Sequence, residues 1–147
     1  MTEVRLRMAA FKVRGVPGIE NLDLPADSLS NVYKPVEPLE IYESEGGVRI
    51  CIGRTGIFGR FVLDVQSGKI IEESEDYSYS NFVNSSLTAF IQCLQMLSAL
   101  LDGVHEGEDE ELANMFESQI RQIDPQAYRE GSFWYEIRWS IAIGDFS

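Results

Sequence analysis

The sequence has very few of the residues that carry metal or nucleophilic chemistry. Its 147 residues include one histidine, His105, and two cysteines, Cys51 and Cys93. A single histidine, with no second histidine and no nearby cysteine pair, does not make a zinc site. His105 is also the only histidine that could serve as the base of a nucleophilic Ser or Cys. We therefore predict an exposed His105, two buried and reduced structural thiols, no metal, no cofactor and no catalytic residue.

Positive charge is also scarce. The chain has 12 Lys and Arg residues against 24 Asp and Glu residues, for a net charge of -12. Such a charge repels nucleic acid and anionic membranes, and it steers basic partners toward the protein. No stripe of basic residues interleaved with aromatics is present. The acidity also serves solubility, so charge by itself excludes nucleic-acid binding without identifying a partner.

Long apolar runs are missing as well. No run is long enough to cross a bilayer. No continuous apolar core follows the first five residues, as it would in a signal peptide, so we expect a cytoplasmic protein. The glycines at 53, 56 and 59 lack the Lys-Ser/Thr ending of a phosphate-binding loop, and a predicted strand follows them. This segment is interpreted as a hairpin turn.

What remains is the pattern of a globular α+β protein. Hydrophobic residues make up 44% of the chain, and we expect a single domain over residues 1–147. Apolar and turn residues predict a central antiparallel sheet of about four to six strands, with strands over 38–42, 48–52, 61–65 and 69–72 and a short one near 22–24. Helical periodicity predicts helices over 3–13, from an Asn84 or Ser85 cap to Gly103, over 109–123 and over 133–142. Trp134 is expected in the core, and Trp139 either there or facing a partner.

Two acidic clusters are the candidate functional residues. Carboxylates interleaved with tyrosine suit a basic, partly apolar protein surface, because charge steers the encounter and tyrosine adds contact area. A solvated charge run is the alternative for either cluster. An acid–base pair for catalysis would need a fixed separation that no sequence shows. The first cluster is Glu72, Glu73, Glu75 and Asp76 with Tyr77 and Tyr79; the second is Glu106, Glu108, Asp109, Glu110 and Glu111.

Several short motifs occur in an order that is similar to a known family. They are Phe11 with Gly15-Val16-Pro17, Ile52-Gly53, the run from Phe61 to Ile70 with Leu63-Asp64 and Ser67-Gly68, the run from Phe82 to Leu87 with Phe90, Ile123-Asp124-Pro125, and Phe133-Trp134. In order and spacing this chain resembles the SUKH superfamily of immunity proteins, and most closely its fourth branch, from bacterial polymorphic toxin systems.

The resemblance implies an α+β domain that binds and neutralises a cognate toxin, commonly one that attacks nucleic acid. Such a toxin presents a basic face, which the acidic clusters would complement. The alternative within the superfamily is a regulatory scaffold domain without a toxin partner, and a third hypothesis is an enzyme of unrecognised type. Whether the chain associates with itself is left open.

Overall fold

The computed structural model describes residues 6–102 and 108–144. Its strands are Met8–Lys12 (β1), Asn21–Pro25 (β2), Glu40–Ser44 (β3), Gly47–Thr55 (β4), Gly59–Asp64 (β5), Ile70–Ser74 (β6) and Ser80–Asn84 (β7). Its helices are Leu87–Asp102 (α1), Asp109–Ile123 (α2) and Phe133–Ala142 (α3), with a 3-10 turn at Pro125–Ala127. The predicted α+β class is confirmed, as are the three helices of the C-terminal half.

The main sheet is a five-stranded antiparallel meander in the order β3-β4-β5-β6-β7, within the predicted range of strand numbers. Short connections join these strands, and the ones that precede β4, β5 and β6 contain glycine. Gly68 adopts a φ of +78° in the turn between β5 and β6, a conformation that glycine adopts more readily than other residues. Gly53 instead allows close packing, since a Cβ at this position would lie 2.5 Å from Cε1 of Tyr33.

The predicted N-terminal helix is wrong in the residues described. Met8–Lys12 is a strand that pairs antiparallel with β2, and residues 3–5 of the predicted helix lie outside the described ones. The predicted helical spacing rested on Leu6, Ala9, Ala10 and Val13, yet Ala9 and Ala10 are exposed. Phe11 and Val13 are buried. Two buried residues two positions apart are the pattern of a strand. The short strand predicted near 22–24 is confirmed as β2.

The start of α1 differs from the prediction. Residues 80–84 form β7 beside β6, where no strand was predicted. The helix is capped by Ser86, whose hydroxyl accepts a hydrogen bond from the backbone N–H of Ala89 at 3.1 Å. The predicted caps, Asn84 and Ser85, do not have this role. The predicted helix terminator Gly103 lies outside the described residues. At the other end of the helical region Gly144 follows α3 with a φ of +72°.

The helices cover one face of the main sheet. The ring of Phe61 on β5 lies 4.8 Å from that of Phe90 on α1 and 5.1 Å from that of Phe133 on α3, centroid to centroid. Tyr33 stacks on the same Phe61 ring at 6.2 Å. Because neighbouring strand residues point to opposite faces, Arg60 and Val62 lie on the other side of the sheet. That other face includes Glu73, which pairs with Arg60 in the ladder, and the turn after β6 holds Glu75, Asp76, Tyr77 and Tyr79.

Candidate functional site

Two turns meet at one end of the main sheet. The β4–β5 turn contains Ile57 and Phe58, and the β6–β7 turn spans residues 75–79. The two turns are joined by a hydrogen bond from the backbone N–H of Glu75 to the carbonyl of Phe58, at 2.8 Å. Their exposed side chains form one surface, called here the paired-turn surface: Ile57, Phe58, Glu75, Asp76, Tyr77 and Tyr79.

The β6–β7 turn is organised by Ser74. Its hydroxyl donates to Asp76 Oδ1 at 2.8 Å and accepts the backbone N–H of Ser78 at 2.8 Å and of Tyr79 at 3.2 Å. Asp76 Oδ1 also accepts the Ser78 N–H at 3.0 Å. The hydrogen bonds from Ser78 and Ser74 hold the pKa of Asp76 below its usual range. An exposed carboxylate is thereby kept charged at a defined position.

Glu73 lies beneath this turn and is only 5% exposed. One carboxylate oxygen is 2.6 Å from Arg49 Nη1, the other is 3.8 Å from Arg60 Nη2, and the Tyr42 hydroxyl donates to the same carboxylate. These partners come from β3, β4 and β5, so their side chains cross the sheet to reach β6. The charge of Glu73 is therefore balanced inside the protein.

Arg60 connects buried Glu73 to the surface. Its guanidinium carbon lies 5.2 Å from the centroid of the Tyr42 ring and 4.8 Å from that of the Tyr77 ring. A guanidinium over an aromatic face is attracted by the ring's electron density, more strongly where water is excluded. Tyr77 itself adopts a φ of +61°, which is uncommon for a non-glycine residue. The stacking on Arg60 thus holds Tyr77 in an otherwise unfavourable backbone conformation.

Glu72 and Glu75 occupy different environments. Glu72 is half-buried and accepts hydrogen bonds from Asn81 Nδ2 at 3.2 Å and from the Tyr79 hydroxyl at 3.4 Å. Burial raises the pKa of Glu72 above its ordinary value, although these hydrogen bonds oppose the effect. Glu75 is exposed and forms an ion pair with Arg54 of β4. The first predicted cluster is thus brought together in the structure, with its members at different depths.

Ile57 and Phe58 were not among the residues predicted from the sequence. Ile57 is 80% exposed and Phe58 67% exposed, in a segment interpreted as a simple hairpin turn. The available signal was two large apolar residues between Gly56 and Gly59, where turns normally have polar ones. Phe58 also borders a shallow cavity of about 240 Å³, whose other lining residues are Ser74, Glu75, Asp76, Ser78 and Tyr79.

The second predicted cluster lies elsewhere, at the start of α2. Asp109, Glu110 and Glu111 occupy the first helical turn after Glu108, where negative charge complements the helix dipole. Glu106 and His105 lie outside the described residues. Among residues 6–102 and 108–144, no hydrogen bond or ion pair connects this cluster to the paired-turn surface.

The sequence also led to predictions about the cysteines and tryptophans. Cys51 and Cys93 are free and buried, as predicted, and burial raises the pKa of Cys93 to about 12. Trp134 is fully buried, also as predicted, and Trp139 is 52% exposed. In the described part of the chain, no three His, Cys, Asp or Glu side chains lie together as metal ligands would. None of the described helices has the length and apolar character needed to span a membrane.

A family model for the SUKH-4 immunity protein matches residues 38–139, well over half of the 147 residues. The chain belongs to the SUKH-4 immunity protein family. Searches of curated proteins and of solved structures found no match. The SUKH-4 match includes β3 to β7, α1, α2 and the whole paired-turn surface, whereas β1 and β2 precede it. The resemblance noted in the sequence is thereby confirmed, except that its N-terminal motif around Phe11 lies in a strand and outside the matched residues.

Proposed function

We propose that this SUKH-4 protein binds a cognate toxin domain and neutralises it by occlusion, without turnover. We take the toxin to be one that acts on nucleic acid, because such a protein must present a basic face to phosphates. Family membership supports a toxin partner, and the net charge of -12 supports a basic one. Opposite charges accelerate the encounter of two proteins, which suits an antidote that must act before the toxin does.

The observation that carries the proposal is the paired-turn surface. It presents two exposed carboxylates, Glu75 and Asp76, beside two exposed tyrosines, Tyr77 and Tyr79. Tyrosine is enriched at protein interfaces because it contributes a large area while losing little conformational entropy. The turn is held by Ser74 and by the stack on Arg60, so little ordering remains to be done on binding.

The other candidate residues are proposed to contribute indirectly to toxin binding. Glu73 acts through Arg60, whose position sets that of Tyr77, and Glu72 supports the Tyr79 hydroxyl. The acidic start of α2 is proposed as a second, longer-range source of attraction for the basic toxin. It consists of Glu106, Glu108, Asp109, Glu110 and Glu111.

We propose that residues 1–147 act as one immunity domain in the bacterial cytoplasm, as a component of a polymorphic toxin system. Leu24 and Tyr33 precede the matched residues, yet both are fully buried in the same core cluster as Ile52 and Phe61. The Tyr33 hydroxyl donates to the carbonyls of Pro25 and Ile52, which supports a continuous domain. Two free thiols are compatible with a reducing compartment.

The test is growth rescue combined with binding kinetics, using the toxin domain encoded beside this gene. The variant Glu75→Gln/Asp76→Asn removes two charges while keeping the shape of both side chains. Its control, Glu20→Gln/Asp23→Asn, makes the same change at exposed positions of the β1–β2 hairpin. We expect rescue by the wild type, and an association rate at low salt that is about tenfold lower for the first variant only.

Other outcomes are equally informative. If both variants slow association equally, the whole net charge attracts the toxin and the paired-turn surface has no special place. If the wild type neither rescues growth nor binds the toxin, the immunity function is rejected and the scaffold hypothesis is favoured.

A further inference from the structure

The paired-turn surface combines exposed apolar side chains with the acidic ones. A single exposed apolar residue on a protein surface needs no explanation. Here two lie next to each other at the tip of a turn, and the two tyrosines of the neighbouring turn lie beside them. The exposed fractions are 80% for Ile57, 67% for Phe58, 62% for Tyr77 and 42% for Tyr79.

We propose that Ile57 and Phe58 are the apolar anchor of the toxin complex, inserted into an apolar recess of the toxin that is bordered by Lys and Arg side chains. This inference rests on the proposed function and deepens it, because it specifies the chemistry of the partner surface. Energetic hot spots of interfaces are few, enriched in aromatic residues and surrounded by contacts that exclude water. Phe58 fits the central position, with Glu75 and Asp76 at the rim.

The anchor is held in place before any partner arrives. The Phe58 carbonyl accepts the Glu75 N–H at 2.8 Å, and the N–H of Gly56 donates to the carbonyl of Asn31 at 2.8 Å. The adjacent Thr55 is buried, and Arg54 is paired with Glu75. The turn is therefore fixed on both sides, which lowers the entropy lost when its side chains are immobilised in a complex.

Charge decides between a toxin and a second copy of this chain as the occupant. A two-fold dimer places the same patch of both copies face to face. Glu75 and Asp76 of one copy would then approach those of the other, in a chain that already carries a net charge of -12. Like charges at an interface oppose association, whereas a recess lined with Lys and Arg complements them. The partner that fits is a different, basic protein.

The chain supplies a matched control on another element. Trp139 is 52% exposed and Ile143 is 65% exposed, one helical turn apart near the end of α3. Replacing this pair removes an aromatic and an isoleucine of similar exposure. The comparison is thus between Ile57→Ser/Phe58→Ser and Trp139→Ser/Ile143→Ser, with thermal unfolding recorded for both to verify the fold.

We expect Ile57→Ser/Phe58→Ser to weaken binding of the adjacent-gene toxin domain at least about thirtyfold, as loss of a hot spot does. The loss should lie in the dissociation rate, whereas Glu75→Gln/Asp76→Asn changes the association rate and its dependence on salt. The α3 control should bind like the wild type.

The inference and the proposed function can fail separately. Wild-type binding with unchanged affinity in Ile57→Ser/Phe58→Ser would overturn the anchor and leave the immunity function standing. Loss of binding only in the α3 variant would do the same and relocate the interface. If the wild type dimerises in sedimentation and the first variant does not, while toxin binding is unchanged, the surface is a self-interface and the anchor is again overturned. Absence of wild-type binding would reject both proposals.

Discussion

The carboxylate of Asp124 accepts two hydrogen bonds from Ser85, at 2.7 Å from its backbone N–H and at 2.6 Å from its hydroxyl. The same carboxylate accepts a hydrogen bond from Nδ2 of Asn84 at 3.0 Å. Oδ1 of Asn84 in turn accepts one from the indole N–H of Trp134 at 2.8 Å. This chain of buried contacts joins the end of β7, the residue after α2 and the start of α3. The residues of this network belong to three of the motifs that resemble the SUKH family. The network is separate from the paired-turn surface.

Replacing Asp124 should lower the stability of the protein. In Asp124→Asn the new amide group would face donors from Ser85 and Asn84, so that at least one buried donor loses its acceptor. We expect a decrease of about 3 kcal/mol in the free energy of unfolding, measured by urea denaturation. Asp23→Asn, on the exposed side of β2, should change it by less than about 0.5 kcal/mol. Equal effects of the two variants would contradict a structural role for the network.

The same residue makes stability depend on pH. Burial disfavours the charged form of Asp124, but the hydrogen bonds from Ser85 and Asn84 outweigh it and hold its pKa below the ordinary value of 3.8. A folded-state pKa below the unfolded one means that the unfolded chain takes up the proton first. This stabilisation is therefore present above pH 3.8 and is lost as the pH falls through the lowered pKa.

The measurement is the free energy of unfolding of wild type and Asp124→Asn across the acid range. We expect the gap between the two proteins to be constant near neutral pH and to narrow as the pH falls below the ordinary pKa of an aspartate. Subtracting the variant removes the contributions of the other carboxylates, which both proteins share. A gap that widens on acidification would contradict the direction of the pKa shift.

Trp134 tests the other arm of the network. Trp134→Phe keeps an aromatic ring in the core but removes the N–H that Asn84 accepts. An unsatisfied buried acceptor and a small cavity should together lower the free energy of unfolding by about 2 kcal/mol. Trp139→Phe makes the same chemical change at a half-exposed position and should have little effect. Calorimetry of both variants checks the prediction, and similar shifts in Tm would contradict it.

Long, regular patterns made much of this fold predictable. The bounds predicted for α2 are those observed, because its apolar positions repeat over four turns and its first turn is acidic. At the N-terminus, by contrast, Ala9 and Ala10 intrinsically favour a helix, and the pairing of β1 with β2 overrides that preference. In β7, a change of pairing register between Ile70 and Ile71 of its neighbour β6 interrupts the ladder. The alternating pattern that would reveal the strand is absent from its sequence.

The sequence predicted where the acidic site lies along the chain, but not how deeply each of its side chains is buried. An acidic run next to tyrosines indicated the β6–β7 turn, where the structure places it. The burial of Glu73 depends on Arg49 and Tyr42, which reach it only through the register of the sheet. No local pattern contains that information. The exposure of Phe58, by contrast, could have been inferred from the local sequence. A short turn between two glycines lies at the surface, where no core is available to bury a phenylalanine.

The buried and exposed ion pairs of the β6 end provide a last, direct comparison. Glu73→Gln leaves Arg49 and Arg60 without their buried counter-charge, and we expect it to lower the free energy of unfolding by about 3 to 5 kcal/mol. Glu75→Gln removes the same group two residues later, from a pair with Arg54 whose side chains are 44% and 43% exposed. Because water and salt screen that pair, its loss should change stability by about 0 to 1 kcal/mol. Urea unfolding at low and high salt distinguishes the two, since only the exposed pair should respond to salt. A small effect of Glu73→Gln on the free energy of unfolding would contradict the description of Glu73 as a buried carboxylate that Arg49 and Arg60 neutralise.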